Sequence, residues 1–131
     1  MYSYEVQRSE ALDPAVAYVI HALMRGVVIR GTAAGLVSLL GGLRRSTVFR
    51  PALARPGRPG TLRHRLQSGR ARRACRGKTG TLPSGGVSAL AGYCVGRNGH
   101  DYAFAVLVQG RDTAKARAAQ DRVAKALAAA R

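Results

Sequence analysis

A consecutive lysine, threonine and glycine, Lys78-Thr79-Gly80, form the pattern in this sequence with the clearest chemical meaning. Together they offer a positive charge, a hydroxyl group and a residue without a side chain. Thr81 and Leu82 follow, and two strand-like runs come next, at residues 87–95 and 102–108. An arginine- and glycine-rich chain can contain such a tripeptide by chance, so the surrounding sequence decides what it means.

Other catalytic patterns are weak. His21, His64 and His100 are scattered and have no metal-ligand spacing among themselves or with the cysteines. A histidine on an apolar helix, such as His21, is more often a partly buried core residue than a ligand. The six carboxylates lie mostly near the termini or in turns and suggest no acid/base pair. The residues therefore predict no metal site and no cofactor.

The order of segments around the tripeptide is more specific. Gly60-Thr61-Leu62-Arg63-His64-Arg65 precedes it, and the run Val-Ser-Ala-Leu-Ala-Gly-Tyr-Cys-Val follows it. In this order the segments resemble the C-terminal part of the D-Ala-D-Ala carboxypeptidase/endopeptidase family of the penicillin-binding protein 4 type, over about residues 36–131. The resemblance implies a serine-type hydrolase of the periplasm or cell envelope that binds peptidoglycan stem peptides and β-lactams. It also implies an α+β fragment of the β-lactamase/penicillin-binding transpeptidase-like fold, with an antiparallel sheet of at least three strands flanked by helices.

In that family a Lys-Thr-Gly strand forms one wall of the active site, and the resemblance assigns roles residue by residue. Lys78 would supply positive charge, and Thr79 a hydroxyl for the substrate carboxylate. Gly80 would let the substrate backbone lie close, and the N–H of Thr81 would contribute to the oxyanion hole. The expected catalytic residues are thus Lys78 and Thr81, and the expected substrate-binding residues are all four.

Two further elements of the family are absent from this sequence. No serine has a lysine three positions later, and Asn98, the sole asparagine, has no serine two residues before it. The nucleophile and the opposite wall are therefore missing. We expect that this chain alone does not acylate, although the family is one of hydrolases.

Composition adds a second interpretation. The chain has 131 residues and a net charge of +16, and 22 of its residues are lysine or arginine. Such a charge favours anionic partners, so the alternative function is a basic, non-catalytic protein that binds an anionic polymer. The run from Arg44 to Arg76 contains Phe49 as its one aromatic residue and no nucleic-acid-binding signature. It predicts weak, salt-sensitive binding to polyanions without sequence specificity.

The chain divides into three predicted segments. Residues 1–34 form a helical segment, residues 35–72 an Arg/Pro-rich connection, and residues 73–131 the sheet and a C-terminal helix. Residues 11–33 also resemble the helix before the Lys-Thr-Gly strand in class A penicillin-binding transpeptidases, so a fragment of that class is a further alternative. No export signal is visible, which suggests an incomplete N-terminus. The apolar stretch 15–29 is interrupted by His21, Arg25 and Gly26 and does not predict a membrane span.

Local sequence patterns predict the positions of the helices, strands and turns. Residues 35–43 predict a short helix, residues 50–59 a proline-rich loop, and residues 74–82 the first strand. Turns at 83–86 and 97–100 join it to two further antiparallel strands, the second turn being an Asn-Gly type. Asp112 or Thr113 can cap the last helix. Its predicted apolar face consists of Ala116, Ala119, Val123 and Leu127.

The two cysteines occupy related positions in this arrangement. With the first turn at 83–86, facing residues have numbers that sum to about 169, as those of Cys75 and Cys94 do. Opposite placement does not require a bond, because disulfide geometry is met only at close, non-hydrogen-bonded pairs. A disulfide is expected in an oxidising compartment and two buried thiols in the cytosol.

Overall fold

A computed structural model describes residues 33–82, 85–110 and 112–131. Its elements are helices α1 (Ala33–Leu43), α2 (Phe49–Ala52) and α3 (Ala71–Ala74), strands β1 (Cys75–Leu82), β2 (Val87–Val95) and β3 (Asp101–Gln109), and helix α4 (Thr113–Ala129). The predicted α+β fold is confirmed: an antiparallel sheet lies between helices. Among the described residues no helix has the length and apolarity needed to cross a bilayer. The predicted N-terminal helix, with His21, lies outside them.

The three strands follow one another in the sheet in the order β1-β2-β3. β1 and β2 pair from Leu82↔Val87 to Cys75↔Cys94, so the predicted register is confirmed. β2 and β3 are joined by residues 96–100, a longer connection than the two-residue turn that Asn-Gly suggests. Gly99 has a φ of 79° there, and the N–H of Gly96 donates to the carbonyl of His100. Two local hairpins thus account for the three strands of the described sheet.

Cys75 and Cys94 form a disulfide across the first hairpin, with their Cα atoms 4.1 Å apart. The N–H of Gly77 points away from β2, so Cys75 and Cys94 form a non-hydrogen-bonded pair, the kind with the shorter Cα separation at which a cross-strand disulfide fits. The next pair of the same type, Gly77 and Gly92, brings the two backbones into direct contact. The sequence left the oxidation state open, and the structure contains the bond.

One face of the sheet packs against α4, and we call it the α4 face. Its buried cluster is Leu62, Leu66, Ala71, Cys75, Leu90, Cys94, Phe104, Ala124 and Ala128. The predicted stripe on α4 is partly wrong, because the residues that face inward are Ala116, Gln120, Ala124 and Ala128, whereas Val123 is exposed. Three alanines on this stripe let the helix lie close to the sheet, and the buried Gln120 has a hydrogen-bond partner there. Asp112 caps the helix by accepting a hydrogen bond from the N–H of Lys115.

The opposite face packs against α1, and we call it the α1 face. Leu36, Leu40, Phe49, Leu53, Ala91 and Tyr93 form its buried cluster. The hydroxyl of Tyr93 donates to the carbonyl oxygen of Leu40 at 2.6 Å, and the guanidinium of Arg50 lies 4.9 Å from the centre of the Tyr93 ring. Tyr93 therefore joins β2 to α1 and α2.

Two predicted boundaries change. Residues 50–52 belong to α2 rather than to a loop, since the N–H of Phe49 bonds to the hydroxyl of Ser46 and the Phe49 ring is buried. Ala74 ends α3 and does not start β1. Both differences arise where a short helical turn lets an apolar side chain enter the core.

We expect Gly92→Ala to destabilise the protein strongly. A Cβ at Gly92 would lie 2.0 Å from the carbonyl oxygen of Arg76 and 2.6 Å from the Cα of Gly77, so the strands would have to separate. The expected loss in the free energy of unfolding is at least about 2 kcal/mol, measured by chemical denaturation. Gly42→Ala is the matched control, because a Cβ there meets nothing within 4 Å. Equal stability of the two variants would contradict the close contact.

Tyr93→Phe should lower stability by about 1–2 kcal/mol, because the buried carbonyl of Leu40 loses its donor. Burial raises the pKa of Tyr93 to about 12. Because the pKa of Tyr93 is higher in the folded than in the unfolded state, the protonated hydroxyl contributes fully to stability below about pH 10. Its contribution decreases as the pH rises towards 12.

The stability difference between wild type and Tyr93→Phe should therefore narrow over that pH interval, as measured by urea denaturation at several pH values. Tyr102→Phe is the control, since its hydroxyl accepts only an exposed hydrogen bond from Asn98. A difference that stayed constant up to pH 12 would argue against a buried Tyr93 hydroxyl.

Candidate active site

The outer edge of β1, which faces away from β2, is covered over only part of its length. The N–H of Gly77 donates to the carbonyl oxygen of Ala54 at 3.0 Å, and these two residues form an isolated antiparallel bridge. Among the described residues no further β-bridge covers this edge. As far as the described residues show, the edge is therefore open from Lys78 to the end of the strand, and we call this part the open edge.

Backbone amides alternate between the two edges of a strand, so the N–H groups of Thr79 and Thr81 point to the same edge as that of Gly77. The amide predicted to contribute to an oxyanion hole thus lies on the open edge. The side chains of Thr79 and Thr81 lie on the α4 face of the sheet, because Thr79 pairs with Leu90, which is buried on that face. A ligand lying along this edge would meet both the amides and the threonine side chains.

Lys78 and Gly80 lie on the α1 face. The Lys78 side chain is exposed, and its ammonium group donates to the carbonyl oxygen of Thr79. A Cβ at Gly80 would meet only the Cβ of Ala89, at the ordinary distance of 3.6 Å. Packing within the described residues therefore does not require glycine at position 80, which leaves the approach of a ligand as a reason for it.

A cleft of about 400 Å³ lies beside Thr79 and Thr81. Its other lining residues come from the loop before α3 and from α4: Gly60, Thr61, Arg63, His64, Arg65 and Arg117. The structure thus brings the Gly-Thr-Leu-Arg-His-Arg segment next to the Lys-Thr-Gly strand. The sequence indicated the segment as part of the resemblance but gave no reason to place it at the site.

Arg65 holds this loop against α4. Its guanidinium bonds to the carboxylate of Asp121 at 2.6 Å and to the side-chain oxygen of Gln120 at 3.0 Å. The amide of Gln120 in turn donates to the hydroxyl of Ser88 on β2 at 3.1 Å, and both residues are buried. One chain of polar contacts therefore connects the cleft, the helix and the sheet. Sequence reasoning missed Arg65 and Gln120, because their partners are 32 to 56 residues away.

The described residues contain no arrangement that would activate a serine. Ser88 pairs with Thr81 across β1 and β2, but its hydroxyl is buried and accepts the hydrogen bond from Gln120. No group of three or more His, Cys, Asp or Glu residues that could hold a metal is found in the described part of the chain. The described residues therefore offer a candidate ligand-binding wall with a candidate oxyanion donor.

An open strand edge carrying Lys-Thr-Gly, in an antiparallel sheet between helices, is a wall of the kind used by serine enzymes that recognise penicillin. A family model described as the D-Ala-D-Ala carboxypeptidase 3 (S13) family matches residues 30–130, and the chain belongs to that family. The resemblance to D-Ala-D-Ala carboxypeptidases is thereby confirmed. A search of curated proteins found no match. Residues 11–32, which carry most of the resemblance to class A transpeptidases, lie outside the described residues.

Arg65→Ala should destabilise the protein by about 1–3 kcal/mol. The substitution leaves Asp121 and Gln120 without their partner, and the Arg65 side chain is only 12% exposed. Arg63→Ala, on the same loop, is the matched control, because the Arg63 side chain is exposed and has no hydrogen bond within the described residues. Thermal denaturation of both variants measures the effect. An equal, small decrease in both would show that the Arg65 contacts do not hold the loop.

Proposed function

We propose that this chain supplies the Lys-Thr-Gly wall of a serine-type D-Ala-D-Ala carboxypeptidase/endopeptidase that acts on peptidoglycan stem peptides in the periplasm or cell envelope, and that the chain is inactive without the nucleophile elements. The substrate ends in a carboxylate and extends along a peptide backbone. β-Lactams, which share the acylating chemistry, are the other ligands of this wall. Membership of the D-Ala-D-Ala carboxypeptidase 3 family supports the proposal.

The observation that carries this proposal is the open edge of β1. Within the described residues no β-bridge covers the edge from Lys78 onward, and the amides of Thr79 and Thr81 point outward. A substrate peptide can add to such an edge as a further strand, with main-chain hydrogen bonds giving affinity. Glycine at position 80 fits this approach, because packing within the described residues does not require it.

The roles of the four residues follow from their positions. Lys78 brings positive charge to one side of the edge, and the hydroxyl of Thr79 is available to the substrate carboxylate on the other. Gly80 keeps the middle of the wall clear. The N–H of Thr81 donates to the oxygen on which negative charge develops during acyl transfer.

The chain alone should not be acylated, because no Ser-x-x-Lys and no Ser-x-Asn element occurs in its sequence. Incubation with a fluorescent penicillin, followed by denaturing electrophoresis, should show no covalent label. D-Ala release from a D-Ala-D-Ala peptide should not exceed the buffer rate. Stable labelling of any serine in this chain would contradict the proposal.

Mixing the chain with a polypeptide that carries the family's Ser-x-x-Lys and Ser-x-Asn elements should restore labelling on that polypeptide.

In the same mixture, Thr81→Pro tests the oxyanion donor, because proline removes an N–H that points away from β2 and breaks no bond of the sheet. We expect acylation to slow by about 100-fold or more with Thr81→Pro. Thr81→Ser keeps the N–H and should leave the rate nearly unchanged. Equal acylation rates for the two variants would show that the N–H of Thr81 does not contribute to the oxyanion hole.

A further inference from the structure

A second concave surface lies at the opposite end of β1 from the open edge. It is a groove of about 870 Å³, bounded by α2, the loop before α3, α3 itself, and the end of β2. Six arginines line it: Arg50, Arg70, Arg72, Arg73, Arg76 and Arg97. We call it the arginine groove. No acidic residue is among its lining residues.

Few of these charges are neutralised within the described residues. Asp101 pairs with Arg50, with Nη2 and Oδ1 2.9 Å apart. The other described carboxylate side chains, Asp112 and Asp121, pair with Lys115 and Arg65. Arg70 donates to the carbonyl of Gly96 at 3.1 Å.

The remaining four groove arginines, Arg72, Arg73, Arg76 and Arg97, therefore have no carboxylate partner in the described part of the chain. Within the described residues these four guanidinium groups are not neutralised by a carboxylate, so they repel one another in the groove. An anionic ligand would remove that repulsion.

The groove is built on fixed backbone. Arg76 is the second residue of β1, beside the Cys75–Cys94 disulfide and opposite Tyr93. Arg72 and Arg73 lie on α3, whose first turn is closed by N–H bonds from Arg73 and Ala74 to the carbonyl of Arg70. Arg97 is held by a backbone bond from its N–H to the carbonyl of Ala130 at 2.8 Å. Their backbone positions are therefore set before any ligand binds, which lowers the entropy cost of binding.

The electrostatics of Arg76 agree with this geometry. Partial burial, and then the nearby charges of Arg55 and Arg50, lower the pKa of Arg76 from its usual value. The protein therefore holds this cation in surroundings that disfavour it. A bound anion would reverse that effect.

We propose that the arginine groove binds a linear oligophosphate, a chain of closely spaced phosphate groups. A guanidinium presents a planar fork of N–H donors that matches phosphate oxygens two at a time. A single small anion would neutralise only part of the groove, whereas a phosphate chain carries a charge on every unit and can contact several arginines together. The volume of the groove lies in the range of sites for compact ligands. This site is separate from the Lys-Thr-Gly wall and does not depend on its proposed function.

The test is an isothermal titration calorimetry experiment in which inorganic tripolyphosphate is added to the full chain at about 150 mM salt. The groove variant is Arg72→Ala/Arg73→Ala/Arg97→Ala, in which all three side chains are exposed. The matched control is Arg45→Ala/Arg122→Ala/Arg131→Ala, which removes the same charge from exposed positions that do not line the groove. We expect the groove variant to lose at least about tenfold in affinity and the control less than about threefold. Equal melting temperatures of the variants would show that folding is unaffected.

The proposal is overturned if both variants lose affinity equally, since binding would then follow net charge alone. It is also overturned if tripolyphosphate binds no more tightly than sulfate, or if duplex DNA binds through the same arginines and tripolyphosphate does not compete. A smaller salt dependence of tripolyphosphate binding in the groove variant than in the control would support it, because fewer phosphate contacts remain.

Discussion

The register between β1 and β2 is the constraint on which the rest of the structure depends. Two consecutive close pairs define it: the disulfide of Cys75 with Cys94, and the backbone contact of Gly77 with Gly92. A shift by one residue would move every side chain to the opposite face and exchange the directions of the amides. The amides of Thr79 and Thr81 would then point into the sheet. The outward direction of these two amides, on which the proposed binding edge depends, therefore follows from this register.

The two helical layers are attached to the sheet in different ways. On the α1 face a large aromatic residue, Tyr93, fills the interface and bonds to the helix backbone. On the α4 face small alanines allow close packing, and a buried polar contact between Gln120 and Ser88 fixes the position of the helix. Each layer also uses one arginine–aspartate pair, through Arg50 and through Arg65. Among the described arginines, these two thus form the ion pairs that hold the helical layers to the rest of the fold.

Much of the fold could be predicted because it is local in sequence. Each pair of neighbouring strands is joined by a short turn, so the turn position alone gave the register and the facing cysteines. The stripe on α4 could not be predicted in the same way. Val123 is more apolar than Gln120, yet Gln120 is buried because Ser88 and Arg65 satisfy its amide. A hydrophobicity pattern cannot show a partner that distant parts of the chain provide.

The two candidate sites also differ in how local they are in the sequence. The residues of the Lys-Thr-Gly wall are consecutive, so their spacing was visible in the sequence. The arginine groove gathers residues between positions 50 and 97, and only the topology of the sheet places them together. The charge run was visible, but the sequence did not distinguish arginines that pair with aspartates from those that do not.

The two concave regions share one strand, and this links their electrostatics. Arg76 and Lys78 lie on the same face of β1, two residues and therefore about 7 Å apart along the strand. The bridge between Ala54 and Gly77 closes the outer edge between them, so a ligand in the groove does not occupy the open edge. The separation is shorter than the screening length of about 8 Å at physiological ionic strength. A phosphate chain held at Arg76 would therefore reduce the positive potential at Lys78, the charge that we propose the wall offers to a substrate.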